Sequence, residues 1–410
     1  MKILFLGLNY APEKVGIAVY STGMCERLAA RGHRVTAVVA QPYYPEWLVP
    51  EKYRGGWKRV VERGVALLRC PIVVPREPSG AKRVIHHISF ALSALFPVLS
   101  QALRMRPDVL VTTAPSLIGA PVVWFAARLT GRKCWLHVQD FELEAAFATG
   151  LMGHDSLAGR LAYIFQNWIL RRFDRVSSIS PEMCRKLADM RVPASRIVEF
   201  RNWAEGAVVP LDRPSSYRAD WSVSAPYVLL YSGNIANKQG IEIVLEAARL
   251  LVDRRDIQFV VCGNGANRAK LEAEAGDLGN VLFRDLQPME QLGELLNLAT
   301  LHLLPQRGDA ADLVLPSKLT NMLASGRPVV ATAAPGTGLA RELEGCGICV
   351  MPGDAVALAS AISALVDDPE RRAALGRTAR ERAETVWNSQ VILSAFERKL
   401  VRLAEKGGEP

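Results

Sequence analysis

Two runs of alternating strand-length and helix-length segments, separated by a proline-punctuated polar stretch, constrain this chain more than any single motif. In the first run, apolar segments of strand length occupy 2–7, 34–40, 108–113, 133–138 and 174–179, with amphipathic segments such as 16–31 and 116–130 between several of them. Such alternation implies a parallel sheet covered by helices on both faces. After Asn202 the rhythm fails, and Pro210, Pro214 and Pro226 mark a polar linker. A second run then predicts strands at 227–232, 257–262, 281–284, 301–304 and 328–332. Helices are expected at 241–252, 266–275, 289–298, 317–325 and 354–366, and a charged helical tail over 369–405.

With 410 residues the chain exceeds the size at which one core stops growing, so two domains are expected. The predicted class is α/β: two Rossmann-like doubly wound domains facing across a cleft. The expected divisions are an N-terminal domain over 1–205, a linker over 206–226, a second domain over 227–385, and a C-terminal helix over 386–410 packing back on the first domain.

Half the residues are apolar and 22% are charged, which excludes general disorder. The formal charge of +9 is unevenly placed: residues 1–205 carry net +12 and the remainder net −3. That asymmetry points the first half at something anionic, whether a nucleic acid, a phosphate-rich ligand or an acidic membrane surface; the motifs of the chain favour the last two, and no nucleic-acid partner is expected. Residues 84–103 form an apolar stretch with basic flanks, which suits either an interfacial element or a buried helix. The seven cysteines form no framework, which fits a reducing compartment, and Cys346-Gly-Ile-Cys349 reads as packing in a turn and strand.

Doubly wound sheets bind ligands beyond the carboxyl ends of their strands, and the informative residues fall there. The loop Gly7-Leu-Asn-Tyr-Ala-Pro-Glu-Lys-Val-Gly16 opens a helix whose free N–H groups favour an anion, with Gly16 allowing close approach. It is not a dinucleotide fingerprint, which disfavours a dehydrogenase. His137 ends a strand beside Gln139, Asp140, Glu142 and Glu144, a position suited to substrate contact or charge stabilisation. In the second run, Tyr231-Ser-Gly-Asn-Ile-Ala-Asn-Lys-Gln-Gly240 offers Gly233, Asn234, Lys238 and Gln239 as a phosphate cradle. Cys262-Gly-Asn-Gly265 adds Gly263 and Gly265, and Leu286 follows the next strand. Ser317 is expected to cap a helix, Lys318 to sit in its first turn against the helix dipole, and Asn321 to lie one turn on, on the same side. No metal is expected, since the chain lacks an Asp-x-Asp pair.

Together these residues resemble family 4 glycosyltransferases. Leu323-Ala-Ser-Gly326-Arg-Pro-Val-Val330 is similar to the end of that family's Glu-x7-Glu region, and the Ser232–Gly240 and Cys262–Gly265 loops fall in the family's order. Four phrases resemble the colanic-acid (exopolysaccharide) biosynthesis branch: Gln41-Pro-Tyr-Tyr-Pro-Glu-Trp47, Cys70-Pro-Ile-Val-Val-Pro75, His137-Val-Gln-Asp-Phe-Glu142 and Leu315-Pro-Ser-Lys-Leu-Thr-Asn321. Departures from the broader pattern are clear. Asn321 and Leu313 stand where the two glutamates would be, Asn234 replaces an Arg, and Gln239 occupies a Lys position with Lys238 one residue earlier.

The resemblance implies a GT-B, retaining enzyme whose second domain holds a nucleotide diphosphate, GDP-linked such as GDP-fucose by preference and UDP-linked as the alternative. It places the acceptor, a polyprenyl-diphosphate-linked saccharide, on the first domain at the cytoplasmic face of the membrane. His137, Lys318 and Asp140 are the candidate catalytic residues, with no cofactor beyond the nucleotide sugar. Two other readings of the same build are a nucleotide-sugar epimerase and a non-catalytic nucleotide-sugar-binding partner.

Overall fold

The computed structural model describes residues 1–13, 16–77, 79–141, 143, 156–204, 206–236, 239–276, 278–308 and 315–405. It divides into two compact units, Met1–Arg201 with Ile392–Pro410, and Asn202–Val391.

The first unit is built on an eight-stranded sheet: β1 (Lys2–Gly7), β2 (Arg34–Ala40), β3 (Lys58–Glu62), β4 (Val65–Cys70), β5 (Val109–Ala114), β6 (Lys133–Val138), β7 (Arg175–Ser178) and β8 (Ile197–Glu199). Their order is β3-β4-β2-β1-β5-β6-β7-β8, parallel throughout except where β3 pairs antiparallel with β4. The inner strands are apolar at nearly every position because helices cover both faces of a parallel sheet. Side chains alternate between faces: Leu4, Leu6, Val38, Leu110 and Leu136 enter one core, with Phe90, Ala94 and Val98 of the helix Gly80–Met105 above them. On the opposite face of β6, the ring of Trp135 meets Phe396 of the helix Ser389–Glu405 edge-on at 5.0 Å. Phe396 also stacks on Phe200 at 4.2 Å. Arg31 and His33 bind Glu397 of the same helix, His33 at 2.8 Å, so the chain's last helix is fixed by both aromatic packing and an ion-pair cluster.

The second unit has six parallel strands, β9 (Tyr227–Ser232), β10 (Ile257–Cys262), β11 (Val281–Arg284), β12 (Leu301–Leu304), β13 (Val329–Thr332) and β14 (Gly347–Val350), in the order β11-β10-β9-β12-β13-β14. Its two cores lie on the two faces of the sheet, one holding Leu230, Val260 and Leu319, the other Leu229, Val261 and Ile362.

Where the sequence expectations and the structure part, the causes are local. The stretch 206–226, expected as a linker, contains the short helix Tyr217–Asp220 and buries Val208, Tyr217 and Val223 in the second unit's core. β3 and β4 were not expected: β3 is an exposed, charged edge strand, and edge strands lose the apolar signature. β8 and β14 are too short and too shallow to stand out, with most of their positions only partly buried. The tail is two helices, Pro369–Thr385 and Ser389–Glu405, because Trp387 is drawn into the core and Asn388 Oδ1 accepts the N–H groups of Gln390 and Val391 at 2.8 and 3.2 Å. Cys349 lies in β14 and Cys346 just before it; burial raises both thiols to about 11, which leaves them inert packing groups.

Phe396 carries the packing of the last helix, and Phe396→Ala is expected to lower stability by about 3 kcal/mol. Chemical denaturation followed by tryptophan fluorescence measures it; an unchanged midpoint would remove the aromatic stack from the account.

Candidate functional site

In each unit the strand order reverses once, between β1 and β5 and between β9 and β12. In doubly wound sheets that reversal opens a crevice at the carboxyl ends of the strands. In the second unit the loops leaving β9, β10 and β12 gather there. The first two run against each other: Gly233 N–H donates to Cys262 O at 2.9 Å and Ile235 N–H to Asn264 O at 2.9 Å. They approach so closely that a Cβ on Gly263 would lie 1.8 Å from Gly233 O, and one on Gly265 2.2 Å from Ile235 O. Both glycines therefore serve backbone packing, whatever else they touch. Gly240, at φ 62, brings the same loop to Arg307, whose backbone N would lie 3.5 Å from an added Cβ.

Into this junction comes Lys318, the first residue of the helix Lys318–Ala324. Its Nζ stands 3.9 Å from the ring centroid of Tyr231 and would be 3.6 Å from a Cβ on Gly233. The nitrogen is sealed from solvent and has no hydrogen-bond acceptor among the described residues. Burial alone pushes its pKa from 10.5 down to about 7. Tyr231 is held in turn, its hydroxyl donating to Asn234 O at 2.7 Å. A buried amine against an aromatic face, with no acceptor among the described residues, is an incomplete electrostatic arrangement of the kind an anion completes.

Ser317 occupies the N-cap position, yet its backbone is helical and its hydroxyl makes no capping bond; the expected cap is corrected to an exposed hydroxyl. Asn321 follows one turn on, half-buried. Asn234 is exposed, Gln239 is half-buried with its N–H on Ala236 O at 2.9 Å, and Leu286 is exposed beyond β11. Lys238, together with Glu142, Glu144 and Leu313, lies outside the described residues.

In the first unit Gly16 stands at the start of the helix Ile17–Ala30, at φ 61, with no side-chain cap. His137 is 2% exposed on the face of β6 shared with Trp135. Trp135 Nε1–H donates to Ser177 Oγ at 2.8 Å, and that hydroxyl lies 2.9 Å from His137 Nδ1. Burial holds the ring pKa at about 3, so His137 is neutral across the physiological range. Asp140, three residues on, lines a small pocket with Ala114, Leu117, Phe141 and Gln166.

Two residues had been passed over. Tyr231 supplies the platform for Lys318, yet in the sequence it reads only as the last apolar position of a strand. Glu13 is buried, its Oε1 accepting Tyr43 and Tyr44 N–H at 2.8 and 2.9 Å and its Oε2 accepting Asn9 Nδ2 at 2.9 Å. Desolvation raises its pKa, and these donors oppose the rise. The available signal was a carboxylate directly after Pro12 in the loop that opens the first helix.

Two Rossmann-like units, each with a switch point at the carboxyl ends of its strands, are the architecture of GT-B glycosyltransferases. The fold is that of sucrose-phosphate synthase from Thermosynechococcus elongatus, at a TM-score of 0.76 with 18% identity over 98% of both chains. It is also that of Anabaena HepE in complex with UDP-glucose, at a TM-score of 0.68 with 16% identity over 98% of this chain and 100% of that one. Residues 15–203 match the glycosyl transferase 4-like domain and 217–382 the glycosyl transferases group 1 domain. The chain belongs to the glycosyltransferase family that includes WcaI of Escherichia coli (strain K12), whose name assigns it to colanic acid biosynthesis; the two are 39% identical over 97% of this chain and 98% of that protein.

A buried lysine without an anion costs stability, so Lys318→Met is expected to stabilise the ligand-free protein by on the order of 2 kcal/mol at pH 6. Below pH 7 the amine is charged in folded and unfolded chains alike, and the folded state bears the full desolvation cost. Between about 7 and 10.5 the folded amine is neutral, so the gain fades as pH rises through that window. Thermal unfolding of both proteins from pH 6 to 10 checks this; a variant less stable at pH 6 would mean that the cation is already paired.

Proposed function

We propose that the protein transfers a sugar, with retention of configuration, from a nucleoside diphosphate sugar to a lipid-linked saccharide during exopolysaccharide assembly. The observation that carries this reading is the buried Lys318 amine at the switch point of the second unit, which has no hydrogen-bond acceptor among the described residues.

In this reading the second unit takes the diphosphate. As the sugar–phosphate bond breaks, negative charge grows on the departing diphosphate. Lys318 meets that charge from a site already emptied of water, where reorganisation costs least. Lys238, from the neighbouring loop, adds a second cation. Gly233, Gly263 and Gly265 keep the two loops close enough for backbone N–H groups to reach the phosphates, and Ser317 and Asn321 serve the nucleoside side. The residues supply the charge themselves, and we assign no metal. Attack follows on the face the diphosphate leaves, and the leaving phosphate oxygen accepts the proton of the acceptor hydroxyl. His137, neutral and oriented by Ser177, acts on the sugar as a hydrogen-bonding group, not as a base.

The donor is GDP-linked in the reading we favour, following the branch resemblance. A UDP-linked donor is the second reading, supported by the UDP-glucose that HepE holds. The acceptor is a polyprenyl-diphosphate-linked saccharide taken by the first unit, and the protein works as a peripheral enzyme at the cytoplasmic face of the membrane.

The decisive measurement is thermal stabilisation by GDP, UDP, ADP and NAD, on wild type and on Lys318→Ala. One nucleoside diphosphate is expected to stabilise the wild type selectively, and the variant to bind it about tenfold to a hundredfold more weakly. Stabilisation by NAD alone, or full affinity in the variant, would overturn the assignment. Product analysis by NMR then separates the alternatives: an epimerase changes the donor without acceptor, a binding partner changes nothing, and a retaining transferase keeps the anomeric configuration.

A further inference from the structure

The helix Gly80–Met105 is apolar on two opposite sides. Its inner side, with Phe90, Ala94, Val98 and Ala102, is at most 1% exposed and forms the core of the first unit. Its outer side repeats the pattern at helical spacing through Ile85, Ile88, Leu92, Phe96 and Leu103, all open to solvent, with Leu92 68% and Phe96 76% exposed. This stripe runs for about 27 Å along the helix. By length and composition alone the helix could cross a membrane. The inner side is committed to the sheet, so only the outer stripe is left to meet lipid.

Neighbouring elements extend the stripe into a face. Trp57, 58% exposed, reaches over from the chain before β3 and donates its indole N–H to Ser93 O at 2.9 Å, beside Leu92 and Phe96. The helix Ala120–Thr130 covers the same side of the sheet and exposes Phe125 and Leu129. The helix Leu157–Leu170 joins it through the edge-to-face pair Trp124–Trp168, centroids 5.5 Å apart, and exposes Leu161 and Ile164.

The charges on this layer have one sign. The three helices contain Lys82, Arg83, Arg104, Arg128 and Arg160 and not one Asp or Glu. Arg106, Arg171 and Arg172 follow directly at their ends, and Arg172 lies over the Trp124 and Trp168 rings at 5.8 and 5.4 Å. Exposed aliphatic and aromatic side chains on helices whose own charges are all cationic match an anionic bilayer, whose headgroups attract the charges while the apolar groups enter the acyl boundary. A tryptophan anchored by its N–H suits the same boundary.

We infer that the outer face of these three helices, with Trp57, is a docking surface for an anionic lipid bilayer, on which the first unit lies with Leu92 and Phe96 immersed. The inference deepens the reading of a lipid-borne acceptor and gives that acceptor's membrane a specified face of the protein.

The test is flotation of the full-length protein, without nucleotide, with vesicles of phosphatidylcholine alone or containing about 30% phosphatidylglycerol. Binding is expected to be about tenfold or more stronger on the anionic vesicles and to weaken with salt. The exposed double variant Leu92→Glu/Phe96→Glu is expected to lose it with an unchanged melting temperature and unchanged stabilisation by nucleotide. Equal binding to both vesicle types by wild type, or undiminished binding by the variant, overturns the inference. So does a wild-type dimer that the variant dissolves, since the face would then belong to a second copy. Nucleotide binding is read separately, so failure at the membrane and failure at the donor site are distinguishable.

Discussion

Parallel pairing governs the rest of this molecule. Among the described residues every strand pairing is parallel except that of the edge strand β3 with β4, so within each sheet the carboxyl ends of the other strands lie along one edge. A chain that must cross back after every strand places its loops on that edge, and the reversal of strand order keeps two of them apart. Everything chemically distinctive in the second unit lies there: the interlocked turns after β9 and β10, Gly240 against Arg307, and Lys318 over Tyr231. The loop geometry is demanding because backbone meets backbone, and Gly263 is the point at which any side chain would collide with the neighbouring carbonyl.

Held open in this way, the site departs from the rule that buried charges are paired. Desolvation lowers the Lys318 pKa, and the described residues provide no acceptor. A protein optimised only for stability would place an apolar side chain at this position, since an unpaired buried amine is a net cost. The arrangement makes physical sense if a ligand brings the missing charge. By contrast, the buried His137 in the first unit has its partner in Ser177 and no strain to relieve, and its low pKa follows from enclosure. The two residues look equally promising as a sequence, but only one is left electrostatically incomplete by the fold.

The sequence made the fold legible wherever a strand was buried on both faces. β1, β2, β6, β9, β10 and β12 fall on their expected ranges because continuous apolar runs of that length have few other uses, and the partly buried edge strand β11 is matched as well. Legibility failed at the sheet margins, where β3 is charged and β14 half-exposed, and at 206–226, where prolines suggested a linker although Tyr217 and Val223 pack inward. At the site, periodicity and loop position were enough to single out Lys318, Gly233 and the paired glycines. They were not enough to find Tyr231, which a strand pattern hides, nor to deny Ser317 its capping bond, which depends on backbone angles. The resemblance between distant stretches of chain did more than any one of these signals, because a motif order spanning two units is harder to reach by chance than a glycine pair.

The helix Gly80–Met105 explains why one segment of the sequence supported two opposite readings. Its hydropathy is the sum of two faces, one buried in the core and one turned outward, and a linear pattern does not separate them. The charge distribution carries the same lesson at larger scale. Residues 1–205 hold net +12 and the remainder net −3, so the candidate anion site belongs to the less basic half. In the function proposed above, Lys318 therefore takes a phosphate through a single charge in a low-dielectric junction and not through long-range attraction. The membrane docking inferred for the first unit would use the other route, many exposed cations spread over a wide face where each is screened and weak. On that reading one half holds a small anion at a fixed point, and the other rests on a broad anionic surface.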